Sequence, residues 1–305
     1  MDPETLDQIT IPLSTTSQIL LASAIMTLMF AIALGLTLKN FSFLKTAPHL
    51  FYIGLFVQII ALPIVTIAVI AMLGVPASIA LGMIVVASCP GGSVSNFMSW
   101  LAKGDVAYSV SLTAGSSIIA SIWTPLAILI WSDIYPPTAA LLETINFSRI
   151  QFIVQTTMML ALPLIGGMIT NHFAPKFAAR ARKPLGFVGA FVMLCVIIIG
   201  VIDFAPLLAS AWMLILVPAI IHNGVAFGLG AVSGLFLNAT PAQKRALIFE
   251  IGIQNSGLAV VLMLSQFNGL GGAAAIAAVW GVWHFVSGGA LIALFRTLDR
   301  RKMPL

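Results

Sequence analysis

Charge is scarce in this sequence. Asp, Glu, Lys and Arg make up 8% of its 305 residues, against about 25% in an ordinary soluble domain. Cysteine is nearly absent: there are two, Cys89 and Cys195, both inside apolar runs, so no disulfide framework is expected. Alternating, strand-like patterns are few. What is there is apolar surface, with 60% hydrophobic residues and a mean hydropathy of +1.10. A soluble chain of this size would have to wear much of that surface on its exterior. The composition therefore excludes a soluble enzyme, a disordered chain and a nucleic-acid binder, despite an isoelectric point near 9.5. It leaves an all-α polytopic membrane protein. The opening residues Met1–Asp7 are acidic and do not form a secretory n-region.

Nine apolar runs are bounded by charge, Pro or Gly: Ser17–Leu38, Pro48–Leu73, Ala77–Leu101, Val106–Trp131, Ile150–Thr170, Leu185–Phe204, Ala209–Leu237, Ala246–Phe267 and Gly271–Phe295. Each is long enough to cross a hydrocarbon layer of about 30 Å as a helix. Threading them alternately gathers Lys39, Lys45, Lys103, Lys176, Arg180, Arg182, Lys183, Lys244, Arg245, Arg296, Arg300, Arg301 and Lys302 on one side, leaving only Arg149 on the other. The positive-inside rule then predicts an outside N-terminus and a cytoplasmic C-terminus. Asp2, Glu4, Asp7, Asp133, Glu143 and Asp203 fall outside, and Asp105 and Asp299 inside. Glu250 alone falls within a span.

An ionisable group at membrane depth costs at least ~2.5 kcal/mol and marks an ion or substrate path. Glu250 is followed by Gly252, Gln254, Asn255, Ser256 and Gly257, where two glycines weaken the helix and free backbone carbonyls. A matching break lies at Cys89-Pro90-Gly91-Gly92-Ser93-Val94-Ser95-Asn96. Pro90 removes a donor and the glycines let the chain open. The breaks are five spans apart, so their helices run in opposite directions. Paired interrupted helices of this kind point to the binding site of a secondary transporter. The ligands on offer are one carboxylate, amides, hydroxyls and carbonyls, a hard oxygen set that suits Na⁺. Ser109 and Thr113, four residues apart, share one face of the fourth span, and Gln58 lies in the second.

Three segments carry a family resemblance: Pro90-Gly-Gly-Ser-Val-Ser-Asn96, Lys103-Gly-Asp-Val-Ala-Tyr-Ser109-Val-Ser-Leu-Thr113 and Glu250-Ile-Gly-Ile-Gln254-Asn255-Ser-Gly257. With His222-Asn223 and Trp283-His284, they resemble the bile acid:sodium symporter family over nearly the whole chain. The resemblance implies a bacterial-type, nine-span inverted-repeat transporter of the inner (plasma) membrane. Its panel domain would comprise residues 17–38 and 150–204. Its core domain would comprise residues 48–131 and 209–295, with crossed broken helices at 77–101 and 246–267. It implies symport of a small organic anion by alternating access, with two transported Na⁺ ions and no nucleic acid. The first Na⁺ site would use Ser95, Asn96, Ser109, Thr113 and Glu250. The second would use Gln58, Glu250, Gln254 and main-chain oxygens at Ile251 and Ile253. Substrate would meet Ser93, Asn255 and His284. Phe285 stands where relatives often carry Asn, and Ser93 where they often carry Thr, both on the expected substrate side. An arsenite-type efflux permease is the alternative, resting on Cys89 as a soft ligand. A membrane enzyme is not expected, because Glu250 has no second acid and His222 and His284 have no nucleophile partner.

Overall fold

A computed structural model describes residues 3–10, 14–37, 41, 43–145, 147–203, 205–267 and 269–301. Among these the chain is helical, with two isolated β-bridges and no longer strand pairing. The helices are α1 (Pro3–Gln8), α2 (Thr15–Ala33), α3 (Phe43–Thr46), α4 (Pro48–Phe56), α5 (Leu62–Leu73), α6 (Ala77–Ser88), α7 (Ser93–Leu101), α8 (Val106–Ile134), α9 (Pro136–Thr144), α10 (Arg149–Phe173), α11 (Pro175–Asp203), α12 (Ala205–Phe236), α13 (Pro241–Gly252), α14 (Ser256–Gln266) and α15 (Gly271–Arg301). One π-helical turn, Val57–Ala61, joins α4 to α5.

Among the described residues, six helices are long and apolar enough to cross a membrane: α2, the joined α4–α5, α8, α10, α12 and α15. Their outer faces present side chains such as Met72, Ile150, Phe173 and Phe236, each more than three-quarters exposed. In water such faces would drive aggregation, whereas against lipid tails they cost nothing. The third and eighth apolar runs are each two short helices, α6–α7 and α13–α14, split at the expected places.

Element ends differ from expectation in two places. Helix α2 stops at Ala33, and its expected end, Leu38, lies outside the described residues, as do Phe204 and the charges Asp2, Lys39 and Lys302. The basic stretch Lys176–Lys183, expected as a connection, is the first two turns of α11. Pro175 provides the helix start, the Ala, Arg and Lys residues that follow are good helix formers, and Pro184 forfeits only one backbone bond. The short helix α9 was not foreseen.

Helix α2 packs against α10 and α11, while α6, α12, α13, α14 and α15 pack on one another. Asp7 accepts the Ala77 and Ser78 N–H groups at the start of α6, at 3.3 and 2.7 Å. A carboxylate there satisfies donors that the helix leaves open and meets the positive end of its dipole.

Candidate ion-binding site at the crossed helices

The two breaks meet. Gly91 pairs with Gln254 in an antiparallel bridge, and the Asn255 N–H donates to the Pro90 carbonyl at 2.9 Å. Pro90 and the glycines prevent a continuous helix, and the carbonyls and N–H groups freed in one chain are answered partly by the other. Close approach needs glycine at two points. A Cβ on Gly91 would lie 2.7 Å from Gln58 Nε2 and 3.3 Å from a Glu250 carboxylate oxygen. A Cβ on Gly252 would run into the Phe227 ring.

Glu250, on the last turns of α13, is 0% exposed. Ser95 and Thr113 hydroxyls both donate to its Oε1, and Thr113 also lies 3.0 Å from Oε2. The single Thr113 proton faces more acceptors than it can serve, since the Asn96 Oδ1 and the Ser109 carbonyl are 3.3 and 3.2 Å away. Ser95 likewise faces the Gly92 carbonyl at 2.6 Å as well as the carboxylate. The Ser109 hydroxyl sits one step further out, accepting from Ser99 at 3.3 Å. The residues expected at the first cation site are thus together, with oxygen acceptors in excess of protons.

The second expected group is assembled as well. Gln58 Nε2 donates to the Glu250 carbonyl at 3.1 Å, and Gln254 Nε2 to the Ile251 carbonyl at 2.9 Å. Both amide oxygens, Gln58 Oε1 and Gln254 Oε1, are buried without a hydrogen-bond partner. Ile251 and Ile253 are wholly buried. The π turn holds Gln58 at this point in the span. Pro63 cannot donate to the Ile59 carbonyl, and the Trp123 indole N–H takes that acceptor instead at 3.3 Å. Such turns inside helices are frequent at functional sites. Among the described residues no Lys, Arg or His pairs with Glu250. A buried carboxylate, surplus acceptors and two orphaned amide oxygens form a site that lacks positive charge. Its ligands are hard oxygens, as Na⁺ requires.

The expected substrate residues are not gathered around one cavity. Ser93 begins α7 and lines a cavity of about 520 Å³ with Asn96, Thr113 and Arg182. Asn255 turns its side chain onto the Leu258 N–H at 3.1 Å, capping α14. His284 is buried against Trp280, ring centroids 5.4 Å apart, on the α15 face that also carries Gly281 and Gly288. Those glycines let α15 approach Ser256, and Met98 and Ile253, so His284 lies level with the crossing without lining that cavity. His222 Nε2 and the Thr66 hydroxyl lie 2.8 Å apart, and Thr66 also reaches the Leu62 carbonyl at 2.8 Å. Cys89 is 1% exposed, within an apolar cluster. Ser99 was missed by the sequence reading, although it lies one turn beyond Ser95. Asn223 was noted only as part of a match; it donates to the Gly252 carbonyl at 2.8 Å and accepts from Ser287.

The profile described as the sodium bile acid symporter family matches residues 22–211. An uncharacterized sodium-dependent transporter of Bacillus subtilis is 31% identical over 275 residues, 90% of this chain and 82% of its own length. A probable chloroplastic sodium/metabolite cotransporter of Arabidopsis thaliana is 30% identical over 88% of this chain and 64% of its own. A sodium-dependent organic anion transporter of Rattus norvegicus is 26% identical over 82% of this chain and 66% of its own. The chain therefore spans less than two thirds of the plant relative's length.

Proposed function

The chain belongs to the sodium bile acid symporter family, and from that premise we propose that it imports a small organic anion together with two Na⁺ ions by alternating access. The names of its relatives describe transporters and not enzymes. The observation that carries the reading is Glu250, wholly buried with hydroxyl partners and, among the described residues, no cationic side chain against it, beside the unpartnered oxygens of Gln58 and Gln254. One ion would lie among Ser95, Asn96, Ser109, Thr113 and Glu250. The other would lie among Gln58, Gln254, Glu250 and the carbonyls near Ile251 and Ile253. Two cations sharing one carboxylate carry a net positive charge, which draws the substrate anion. Of the expected substrate residues, Ser93 lines the chamber that would take the anion, and Asn255 and His284 would act from the crossing beside it rather than from its wall.

Mechanically, the nine spans form two inverted halves. Residues 17–38 and 150–204 make the panel, and residues 48–131 and 209–295 make the core. The packing of α2 on α10 and α11 supports that division. The N-terminus is outside and the C-terminus cytoplasmic in the inner membrane. The cavity at Ser93 and Thr113 continues past Gly35 and Arg182 toward the basic end of α11, which is the cytoplasmic end. Two Na⁺ with one monoanion move one net charge inward, so the membrane potential contributes ~2.3 kcal/mol per 100 mV. Uptake into proteoliposomes tests the proposal. A Na⁺ gradient should drive accumulation of a carboxylate that a K⁺ gradient does not, and Glu250→Ala should abolish it. Uptake indifferent to Na⁺, or intact in Glu250→Ala, would sink the idea.

A further inference from the structure

Arg182 lies in the basic stretch that the sequence reading treated as a topology signal. Its position is more specific than that. Two cavities, of about 520 and 630 Å³, share Gly35, Arg182 and Gly186 in their walls. Arg182 therefore stands where the inner chamber, at Ser93 and Thr113, joins the outer one, at Asn171 and Lys183. Among the described residues it is the single ionisable side chain lining the inner chamber. Among the described residues no carboxylate pairs with it.

Its guanidinium lies across the backbone of Gly35, just past the end of α2. A Cβ there would sit 2.8 Å from Arg182 Nη1 and nearer still to the guanidinium carbon. The absence of a side chain at Gly35 thus lets the cation lie over α2 toward the chamber. Across that chamber stands the start of α7, which has no side-chain cap. There the Ser95 N–H turns back onto the Gly92 carbonyl at 3.0 Å, while the Ser93 and Val94 N–H groups belong to the first helical turn and carry the positive end of its dipole. Beside them are the Ser93 hydroxyl and the Asn96 and Thr113 polar groups. A planar, permanently charged fork on one wall and hydroxyl and backbone donors on the other match a carboxylate with two oxygens.

We infer that Arg182 is the carboxylate-binding residue of the substrate chamber, holding the anion between the panel helix α11 and the start of α7. The inference rests on the transport reading above and names the substrate class as a carboxylate small enough for the inner chamber. Because Thr113 both lines the chamber and bonds Glu250, an anion held there lies next to the cations, and each favours binding of the other.

The test uses the full chain in detergent micelles at fixed Na⁺. Thermal stability is followed while pyruvate, benzoate and cholate are titrated, each beside its uncharged amide. At least one carboxylate should raise the wild-type melting temperature while its amide does not. In Arg182→Gln its apparent affinity should fall at least about tenfold, as expected on losing a charge-assisted pair. Arg182→Lys should lose less, because a point charge remains without the fork. Gly35→Ala keeps the charge but displaces it, and should lose about threefold. It also guards against a folding failure in Arg182→Gln. The inference is overturned if Arg182→Gln binds the carboxylate within twofold of wild type. It is equally overturned if the amide binds as well as the acid, or if none of the three carboxylates stabilises a wild-type chain that Na⁺ does stabilise. A carboxylate effect that depends on Arg182 in a chain indifferent to Na⁺ would instead fell the sodium reading and leave this subsite standing.

Discussion

Glu250 and Asp299 are both carboxylates at buried or half-buried positions in the same half of the chain, and the protein treats them in opposite ways. Asp299, near the end of α15, meets the Arg245 guanidinium through two bonds of 2.9 and 2.5 Å, with Lys103 at 3.8 Å. Arg245 also donates to the Ala102 carbonyl at 2.7 Å and lies over the Phe295 ring. The hydrogen bonds that the guanidinium donates to Asp299 raise its pKa above the ordinary value. That cluster is complete: it ties the end of α7 to the starts and ends of its neighbours and needs nothing from outside. Glu250, five residues along the same helix from Arg245, offers its carboxylate, among the described residues, to the Ser95 and Thr113 hydroxyls only. A chain that can place an arginine against one carboxylate has left the deeper one unneutralised. Burying an unpaired charge is costly, so the natural reading is that the missing positive charge arrives as an ion.

The contrast is sharpest in Glu250→Gln. The amide keeps the shape and can still accept from Ser95 and Thr113, but removes the charge. Na⁺-dependent uptake should fall to background, a loss of at least about 100-fold if one ion's charge interaction worth several kcal/mol disappears. Wild-type uptake in this variant would erase the distinction between the two carboxylates. Gly91→Ala comes next. Its new methyl would push between Gln58 and Glu250, so half-maximal Na⁺ concentration should rise by about tenfold or more, measured by uptake at stepped Na⁺. Gln58→Leu should raise the half-maximal Na⁺ concentration by about three- to tenfold, because one neutral oxygen ligand is lost and the carboxylate stays. The smallest effect on transport is expected in Asp299→Asn. It should lower stability by about 1–2 kcal/mol, seen as a reduced melting temperature, with the Na⁺ dependence unchanged. A shifted Na⁺ dependence in Asp299→Asn would show that the two clusters are coupled.

Much of this was legible in the residues, and the reasons differ by element. Glu250 stood out because it was the one acid that alternate threading could not place in water. The breaks were legible because Pro90-Gly-Gly and Gly252 act on their own backbone, a local effect. Their meeting was expected from opposite direction alone, yet the Gly91–Gln254 bridge and the Asn255–Pro90 bond depend on tertiary placement. The π turn at Val57–Ala61 was missed because a Pro63 that spares one carbonyl looks, in sequence, like any proline near a helix start. The partner that settles it, Trp123, is remote in the chain. The continuation of α11 through Pro184 was missed for a related reason: charge and proline were read as a boundary, and helix propensity prevailed. Arg182 was hidden inside that misreading. As part of a connection it was one charge among several, and as part of a helix packed on α2 it has a direction. Asn255 and His284 show the reverse, since their motif placed them near substrate while local capping and packing on Trp280 hold their side chains away from the chamber at Ser93.

The most direct test is a Na⁺-specific stability measurement that needs no substrate. Wild-type and Glu250→Gln proteins are melted in NaCl and in KCl at equal ionic strength, so that general screening cancels. At Na⁺ near 100 times its dissociation constant, binding to the native state is worth ~2.7 kcal/mol per site. The expected result is a wild-type melting temperature several degrees higher in NaCl than in KCl, with no difference in Glu250→Gln. An equal rise in both proteins, or none in wild type, would contradict Glu250 as the charge that sodium answers.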